Sequence, residues 1–501
     1  MNIYSADQIK AWDAFTIKQE PISSVDLMER AARACAEWIL QGAFTKKHFH
    51  IFCGKGNNGG DGLAIARILL QHDYEVDVYI IEQGAAGTPD FQTNLQRLHK
   101  CTQRIQYIQG VESFPKIKET DVVVDAIFGI GLSRPVEGLV ADLIKWINNH
   151  SSFTIAIDLP TGLFSDQSSI GNTVICANHT LSFQCWKQAL LMEENASFVG
   201  TAHIVPIGLH PLFEENEKST MQMMTGDSLK SCLLGRPPFS HKGDYGHALL
   251  VAGSKGKMGA AVLAARACMR SGAGLLTAHV PECGYPIMQM AHPEGMVSVD
   301  KDAEIFTSIP DNIQSYRAIG MGPGLGTAAA TQGACISLLQ SYQQPMVLDA
   351  DALNIIAIRG VQHIRIPENS VLTPHPGEFE RLFGSSSNHF ERMELAIKQA
   401  RLLKCVIVLK SRYTLVVSPG GEVWVNPTGN PGMAKAGSGD VLMGIITGLL
   451  ARGYDSSTAA RLGVYLHGYA GDITASQKGL ESILAGDIIE QLPYAFSALA
   501  G

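Results

Sequence analysis

Asn426–Asp440, NPTGNPGMAKAGSGD, is the stretch on which the reading of this 501-residue chain turns. It is a Gly-rich loop that runs into an apolar segment, VLMGIITGLL, with the look of a buried helix. Gly437, Ser438 and Gly439 carry no bulky side chains, so three consecutive backbone N–H groups can close around an anion. The dipole at the N-terminus of the following helix favours negative charge at the same spot. Asp440 comes next, placed to take a proton from a hydroxyl lying beside a bound phosphate. A bare GSGD reads equally well as an ordinary helix cap with Asp in its first turn. The longer string, with Asn430, Pro431 and Gly432 upstream, is far more specific.

Upstream of that loop, several strand-like runs end in residues capable of chemistry. HALLVAGS leads into KGKMGAA, where Ala260 is small enough to let a flat ring approach, although a small residue packing helix on strand reads the same. Gly256–Lys257 is not a Walker A loop, because the upstream Gly and the following Ser/Thr are misplaced. RAIGMGPGLG ends a strand in a turn containing Gly324, PMVLDADALN ends another at Asp349 and Asp351, and SVLTPHPGEFERLFG presents His375 before a helix expected to start near Glu378. His before Pro is commonly a turn residue. CVIVLKSRYTLVVSPGGEVWVN reads as a strand, a short turn and a hairpin. Its first bend holds Lys410, Ser411, Arg412, Tyr413 and Thr414, which suit a nucleotide phosphate or a solvated turn alike.

The first half begins with a helix over Ser24–Leu40, capped by Ser24 or Asp26. HFHIFCGKGNNGGDGLAIARILLQHDYEVDVYII is then a strand–loop–helix–strand unit. Gly54, Gly56 and Gly59 have GxGxxG spacing, with Asp77 near where a ribose-binding acid would lie. Asp61 at the helix start would repel a pyrophosphate. Asn57 and Asn58 instead offer amide oxygens to a cation and amide donors to a polar ligand. VVVDAIF presents Asp125 before the turn GIGLSRP (Gly129–Pro135), and FTIAIDLPTG presents Asp158 and Thr161. Parallel strands would bring these three loops to one edge, where α/β folds hold ligands.

Size predicts two or three domains. Hydrophobic residues at 46%, charged residues at 17% and 50 Gly fit nucleotide-binding α/β proteins. A net charge of -8, from 39 basic and 47 acidic residues, argues against a nucleic-acid partner. The ten cysteines lack CxxC pairs or metal-ligand spacing. No export signal and no membrane span is read, so a cytoplasmic protein without membrane partners is expected. The polar stretch HPLFEENEKST marks a boundary, giving domains 1–212 and 225–501 with a linker over 213–224.

GKGNNGGDGL, VDAIFGIGLSR and IDLPTGL together resemble the NAD(P)H-hydrate epimerase family, a Rossmann-like three-layer α/β/α fold. The resemblance implies substrate contacts from Asn57, Asn58, Gly59, Gly60 and Asp61, and from Gly129, Ile130, Gly131, Leu132, Ser133, Arg134 and Pro135. It implies K⁺ ligands at Asn58, Asp125 and Thr161, and an acid/base residue at Asp158. Ile130 departs from the family, which often has Thr there.

From Thr225 to Leu492 the chain resembles the ADP-dependent NAD(P)H-hydrate dehydratases, which are ribokinase-like. That implies contacts of Ala260, Gly324, His375 and Asp440 with the hydrate. Lys410 to Thr414 and Gly437, Ser438 and Gly439 would hold the adenine nucleotide, with Asp440 as base. ADP is the implied phosphoryl donor, and Mg²⁺ is expected with it. Lys435 departs from the small or hydroxyl residue usual in the family.

As a whole the chain resembles the bifunctional NAD(P)H-hydrate repair enzymes. The expected partners are the hydrates of NADH and NADPH and ADP, with the protein a homo-oligomer. The rival reading is a ribokinase-like small-molecule kinase carrying a non-catalytic N-terminal binding domain.

Overall fold

The computed structural model describes residues 1–42, 44, 47–82, 84 and 86–501. The chain divides into two compact units, Met1–Ser219 with Asn388–Phe390, and Thr220–Ser387 with Glu391–Gly501.

In the first unit, apolar β-branched runs form seven parallel strands: β1 (His48–Cys53), β2 (Glu75–Ile81), β3 (Ile105–Ile108), β4 (Val122–Ala126), β5 (Thr154–Ile157), β6 (His179–Phe183) and β7 (Thr201–Val205). Their order is β3-β2-β1-β4-β5-β6-β7, so the winding reverses between β1 and β4. Alternate residues point to two separate apolar layers. Ile51, Val78 and Val124 pack on one side with the helices Ser24–Gln41 and Asn57–Gln71. Phe52, Tyr79 and Val123 pack on the other with the helix Gly138–His150. Burial on both faces explains why these strands read as continuous apolar runs rather than alternating ones.

The cap of Ser24–Gln41 is Ser23, whose side chain accepts from Asp26 N; Ser24 and Asp26 lie inside the helix. Asp77 sits in the first half of β2, away from the C-terminal end a ribose-binding acid would occupy. The Gly54–Gly59 turn is nonetheless tight, since a Cβ on Gly59 would lie 1.7 Å from Gly54 O.

The stretch 213–224, expected to be a linker, is largely built into the folded units. Leu212–Asn216 is a short helix whose Phe213 stacks on Trp12 with ring centroids 5.5 Å apart. Met221–Met223 forms β8, an edge strand of the second sheet. Polar composition hid both elements, because each is anchored by only one or two buried side chains.

The second unit holds a ten-stranded sheet. Besides β8 it contains β9 (His247–Val251), β10 (Leu275–Val280), β11 (Met296–Val299), β12 (Ala318–Met321), β13 (Met346–Leu348), β14 (Val371–Leu372), β15 (Val406–Leu409), β16 (Leu415–Val417) and β17 (Val423–Val425). The order is β11-β10-β9-β12-β13-β14-β15-β16-β17-β8, parallel from β11 to β15 and then antiparallel through β16 and β17. The winding reverses between β9 and β12.

The anion-loop helix is Ser438–Arg452, buried without interruption from Val441 to Ala451. It lies against the helix Met258–Arg270, so the MGAA segment is helix rather than loop. Gly444 and Gly448, one turn apart, permit that approach. A Cβ on them would lie 2.3 Å from Ala264 O and 2.4 Å from Cys268 O. No described helix is long and apolar enough to cross a membrane, and all ten cysteines are free.

Candidate functional site

Each unit presents chemistry at the C-terminal ends of its parallel strands, beside the point where strand order reverses. That is where open α/β sheets bind ligands.

In the first unit a cavity of about 540 Å³ is lined by Asn57, Asn58, Asp61, Gly129–Arg134 and Asp158 from the expected set, joined by Lys10, Asp13 and Gln184. The three loops converge as expected. Ile130 N donates to Asp158 Oδ2 at 3.0 Å, so the contact at residue 130 is made by the backbone whatever its side chain. A Cβ on Gly129 would sit 2.7 Å from Asp158 Oδ2 and 3.4 Å from Asn58 Oδ1. Gly59, Gly60 and Pro135 lie outside the cavity lining, and Gly60 packs on Met28.

Two of the three expected cation ligands, Asp125 and Thr161, are bonded to each other. Thr161 N and Oγ1 donate to Asp125 at 2.7 and 2.6 Å, Ile127 N adds a third bond at 3.2 Å, and Phe128 N donates to Thr161 Oγ1 at 3.0 Å. Asp125 is fully buried. Burial pushes its carboxyl up to about 6 against these hydrogen bonds. Asn58 Nδ2 donates to Ile157 O at 3.3 Å, while Asn58 Oδ1 is buried without a hydrogen-bond partner among the described residues. An orphaned amide oxygen, a carboxylate and a hydroxyl are oxygen donors of the kind a hard cation takes.

Sequence reasoning missed two members of this site. Lys187, wholly buried, pairs with Asp158 Oδ1 at 2.9 Å and donates to Ser182 Oγ at 2.8 Å and Phe183 O at 2.6 Å. Asp13, from the N-terminal helix, is pushed up to about 7 by burial first and the Asp158 charge second, with Lys187 opposing. Burial, Asp158 and Asp13 likewise hold Asp61 well above the carboxylate range. Asp158 itself has φ 68°, in the left-handed region that a non-Gly residue occupies only under constraint. The one clue to Lys187 was a charged residue a few positions beyond β6, whose C-terminal end faces the same edge.

In the second unit a cavity of about 730 Å³ is lined by His375, Lys410, Ser411, Arg412, Thr414, Ser438 and Gly439, together with Asn426, Asn430 and His467. Gly437 caps the helix with φ 91°. Val441 N is the first donor to close a helical turn, onto Gly437 O at 3.1 Å, while Ser438 N reaches Lys435 O at 3.4 Å. The N–H groups of Gly437, Gly439 and Asp440 have no acceptor among the described residues. That is the donor cluster an anion needs.

Lys410 Nζ pairs with Asp349 Oδ1 at 2.8 Å and lies 3.8 Å from Glu378 Oε2. Burial opposes its charge, but Asp349 and Glu378 outweigh burial and hold it above its ordinary value. A Cβ on Gly439 would lie 3.6 Å from both Lys410 Nζ and Asp349 Oδ2, so cation, carboxylate and anion loop touch one volume. Asp440, Ala260, Gly324, Gly437 and Tyr413 stand outside the cavity lining. Gly324 and Ala260 are neighbours, because a Cβ on Gly324 would be 3.3 Å from that of Ala260. Asp351 accepts from Gly326 N at 2.7 Å beside them. Asp440 is pushed up to about 6 by burial first and Asp349 second, with Asp351 adding and Lys410 opposing.

His375 is both turn residue and lining residue. It caps the helix Pro376–Phe383, which starts two residues earlier than expected, and its Nδ1 accepts from Gly377 N at 3.0 Å. His467, which sequence reasoning passed over, contacts Ser438 Oγ at 3.2 Å. Burial lowers it to about 4. Lys435 donates to Glu481 O, and Arg412 to Pro427 O at 3.1 Å.

Comparison with known proteins follows the same division. Residues 24–189 match the family model described as YjeF-related protein N-terminus, and residues 248–494 match that of NAD(P)H-hydrate dehydratase. The bifunctional NAD(P)H-hydrate repair enzyme Nnr of Moorella thermoacetica is 37% identical, over 99% of this chain and 96% of its own length. That of Escherichia coli K12 is 30% identical, over 98% and 93%. Among solved structures, the ADP/ATP-dependent NAD(P)H-hydrate dehydratase of Bacillus subtilis, co-crystallized with ATP/Mg²⁺, is 35% identical. It covers 56% of this chain and 98% of its own, with a TM-score of 0.50. A ribokinase-like superfamily protein of Enterococcus faecalis is 30% identical over 57% and 98%, also at 0.50, which identifies the second unit's fold as ribokinase-like. Two strand-edge sites on one chain, matched end to end by these relatives, make it a member of the bifunctional NAD(P)H-hydrate repair enzymes.

Proposed function

We propose that the first unit (1–212 in the sequence reading) interconverts the R and S hydrates of NADH and NADPH. The second (225–501) dehydrates the S form at the expense of ADP, releasing AMP and phosphate. The observation that carries this reading is Asp440, held near 6 directly after the free N–H groups of Gly437 and Gly439, with Lys410 and Asp349 against Gly439.

Asp440, ionised at neutral pH, takes the proton of the C6 hydroxyl. The freed oxygen attacks the terminal phosphoryl group of ADP, and AMP leaves. Lys410 and the anion-loop N–H groups stabilise the charge building on the phosphoryl oxygens. The ring-nitrogen lone pair then expels phosphate from C6, and loss of a C5 proton restores the dihydropyridine. Ala260 and Gly324 offer a flat, unobstructed face for that ring, with His375 at its edge. Ser411, Arg412, Tyr413 and Thr414 form the turn that receives the nucleotide. Mg²⁺ carried by the nucleotide would offset the polyphosphate charge.

In the first unit the buried Lys187 pairs with Asp158, and Asp13 and Asp61 crowd that pair. Asp13 near 7 and Asp61, held well above the carboxylate range, stand as proton donors beside Asp158 and its partner Lys187, so that donor and acceptor share one cavity. Inversion at C6 needs that pairing, because the hydroxyl must be released with a proton and replaced with its loss. The side chains of Asn57 and Asn58 and the loop 129–134 hold the substrate. K⁺ on Asn58, Asp125 and Thr161 would supply the charge that locks these loops together.

The test is return of NADH absorbance from a mixed R/S hydrate with ADP, with and without K⁺. Complete recovery with AMP release supports both activities, and Asp158→Ala should stop recovery once the S fraction is spent. A stable phosphorylated product without NADH would favour a ribokinase-like kinase.

A further inference from the structure

At the edge of the first sheet opposite the substrate cavity, the register gathers a second set of side chains. His48 and His50 alternate on one face of β1, and His50 pairs in register with Asp77 of β2. Asp121 immediately precedes β4 beside them. One nitrogen of each imidazole and one oxygen of Asp77 lie within 4.8 Å of one another. None of these residues belongs to the machinery described above, and an apolar sheet face has no packing reason to carry them together.

Each imidazole has an acid beside it, His48 beside Asp77 and His50 beside Asp121, and the donor atoms of His48, His50 and Asp77 share one small volume. His48 Nε2 lies 2.9 Å from Asp77 Oδ2, yet it is buried and has no hydrogen-bond partner among the described residues, because the angles are wrong. Two donor atoms that close but misaligned are arranged as ligands of a common ion are. Tetrahedral Zn²⁺, with Zn–N and Zn–O bonds of about 2.1 Å, places its ligand atoms roughly 3.4 Å apart.

Asp77 Oδ1 faces Arg104 Nη1 at 3.9 Å, which leaves Oδ2 for the cluster. His50 is held from both sides, Nε2 by Asp121 Oδ2 at 3.1 Å and Nδ1 by the Tyr79 hydroxyl at 3.2 Å. Whichever nitrogen takes a metal, the other keeps a partner that fixes the ring, as metal-bound imidazoles require. Lys118 N in turn anchors Asp121 Oδ2 at 2.9 Å.

We propose that His48, His50 and Asp77 form a structural site for a divalent transition ion of the Zn²⁺ class, fastening the N-terminal ends of β1 and β2 with Asp121 orienting His50. Mixed imidazole and carboxylate donors suit Zn²⁺, Co²⁺ or Ni²⁺ and are poorly matched to Mg²⁺.

The experiment is titration of the chelator-treated, tag-free full chain, without nucleotide, with Zn²⁺ by calorimetry and with Co²⁺ by visible absorption. His48→Gln and Asp77→Ala are run in parallel. The wild type should bind one Zn²⁺ more than either variant and show the intense visible bands of tetrahedral Co²⁺, both absent from the variants. Zn²⁺ should raise the unfolding temperature of the wild type alone. Equal stoichiometry in all three chains, or a wild type without those bands, overturns the proposal and leaves a hydrogen-bonded polar cluster. The wild-type Co²⁺ spectrum decides even where a variant folds poorly.

Discussion

Asp440→Asn should stop the dehydratase and stabilise the protein that loses it. The folded chain holds this carboxyl near 6, against 3.8 when exposed, chiefly through burial and then through Asp349. A raised acid pKa contributes stability that is fully present below the unfolded value and is lost as pH rises through the folded one. The shift of about 2 units corresponds to roughly 3 kcal/mol at most. Of this, about 1.4 kcal/mol falls between pH 5 and pH 8, by the same linkage relation. Asparagine has the same shape and no charge to bury. Calorimetric melting of the nucleotide-free chain should therefore show the variant gaining on the wild type as pH rises from 5 to 8. Turnover of S hydrate should fall by about 10²–10⁴, the usual share of a general base. Wild-type kcat should lose activity below an apparent pKa of about 6, an acid limb absent from the variant's residual rate. Turnover within threefold of wild type, or a stability gain that does not vary with pH, would refute the assignment.

Three further outcomes follow from the geometry. Gly439→Ala adds a methyl no nearer than 3.6 Å to Lys410 Nζ and Asp349 Oδ2. The melting temperature should hold, while calorimetric ADP affinity drops tenfold or more because the methyl occupies the phosphoryl approach. Lys187→Met strands a buried Asp158 and should cost about 3–5 kcal/mol along with all epimerisation, whereas Lys187→Met/Asp158→Asn should regain stability in denaturant melts and remain inactive. Burial raises Asp125 to about 6, so protonation below that pH removes the charge of the carboxylate proposed to hold K⁺. Stimulation of epimerisation by K⁺ over Na⁺ should fade below pH 6, and Asn58→Ala should abolish it at every pH.

The sequence was most legible where backbone geometry forces residue choice. Gly54, Gly59, Gly437 and Gly439 announce their turns because a Cβ would collide or crowd a ligand, and apolar β-branched runs announce strands buried on two faces. Loops after β1, β4 and β5 could be placed together for the same reason, since parallel strands put their C-terminal ends on one edge. What stayed hidden depends on side chains that meet only after folding. Lys187 and Asp13 are unremarkable in sequence, and their significance is the charge they share with Asp158. Asp349 and Asp351 were visible at a strand end, but only the fold shows that Asp349 binds Lys410 and raises Asp440. The 213–224 segment misled because its polar composition outweighs Phe213, Met221 and Met223.

The two sites solve one electrostatic problem in the same way. Each crowds carboxylates around a single lysine, Asp13 and Asp158 around Lys187, and Asp349, Glu378 and Asp440 around Lys410. In each, one acid pairs directly with the lysine, Asp158 with Lys187 and Asp349 with Lys410. Its field, added to burial, lifts a second acid toward neutral pH. The lysine alone would depress every neighbouring carboxyl, whereas burial and like charge raise it. An excess of acids over one cation leaves a poised proton donor or acceptor beside a fixed charge. Removing either lysine should therefore raise the pKa of its neighbours rather than merely delete a contact. For Lys410→Met this means that the acid limb of the residual dehydratase rate moves above pH 6. A limb left in place would show that Lys410 serves the phosphate alone and that burial by itself tunes Asp440.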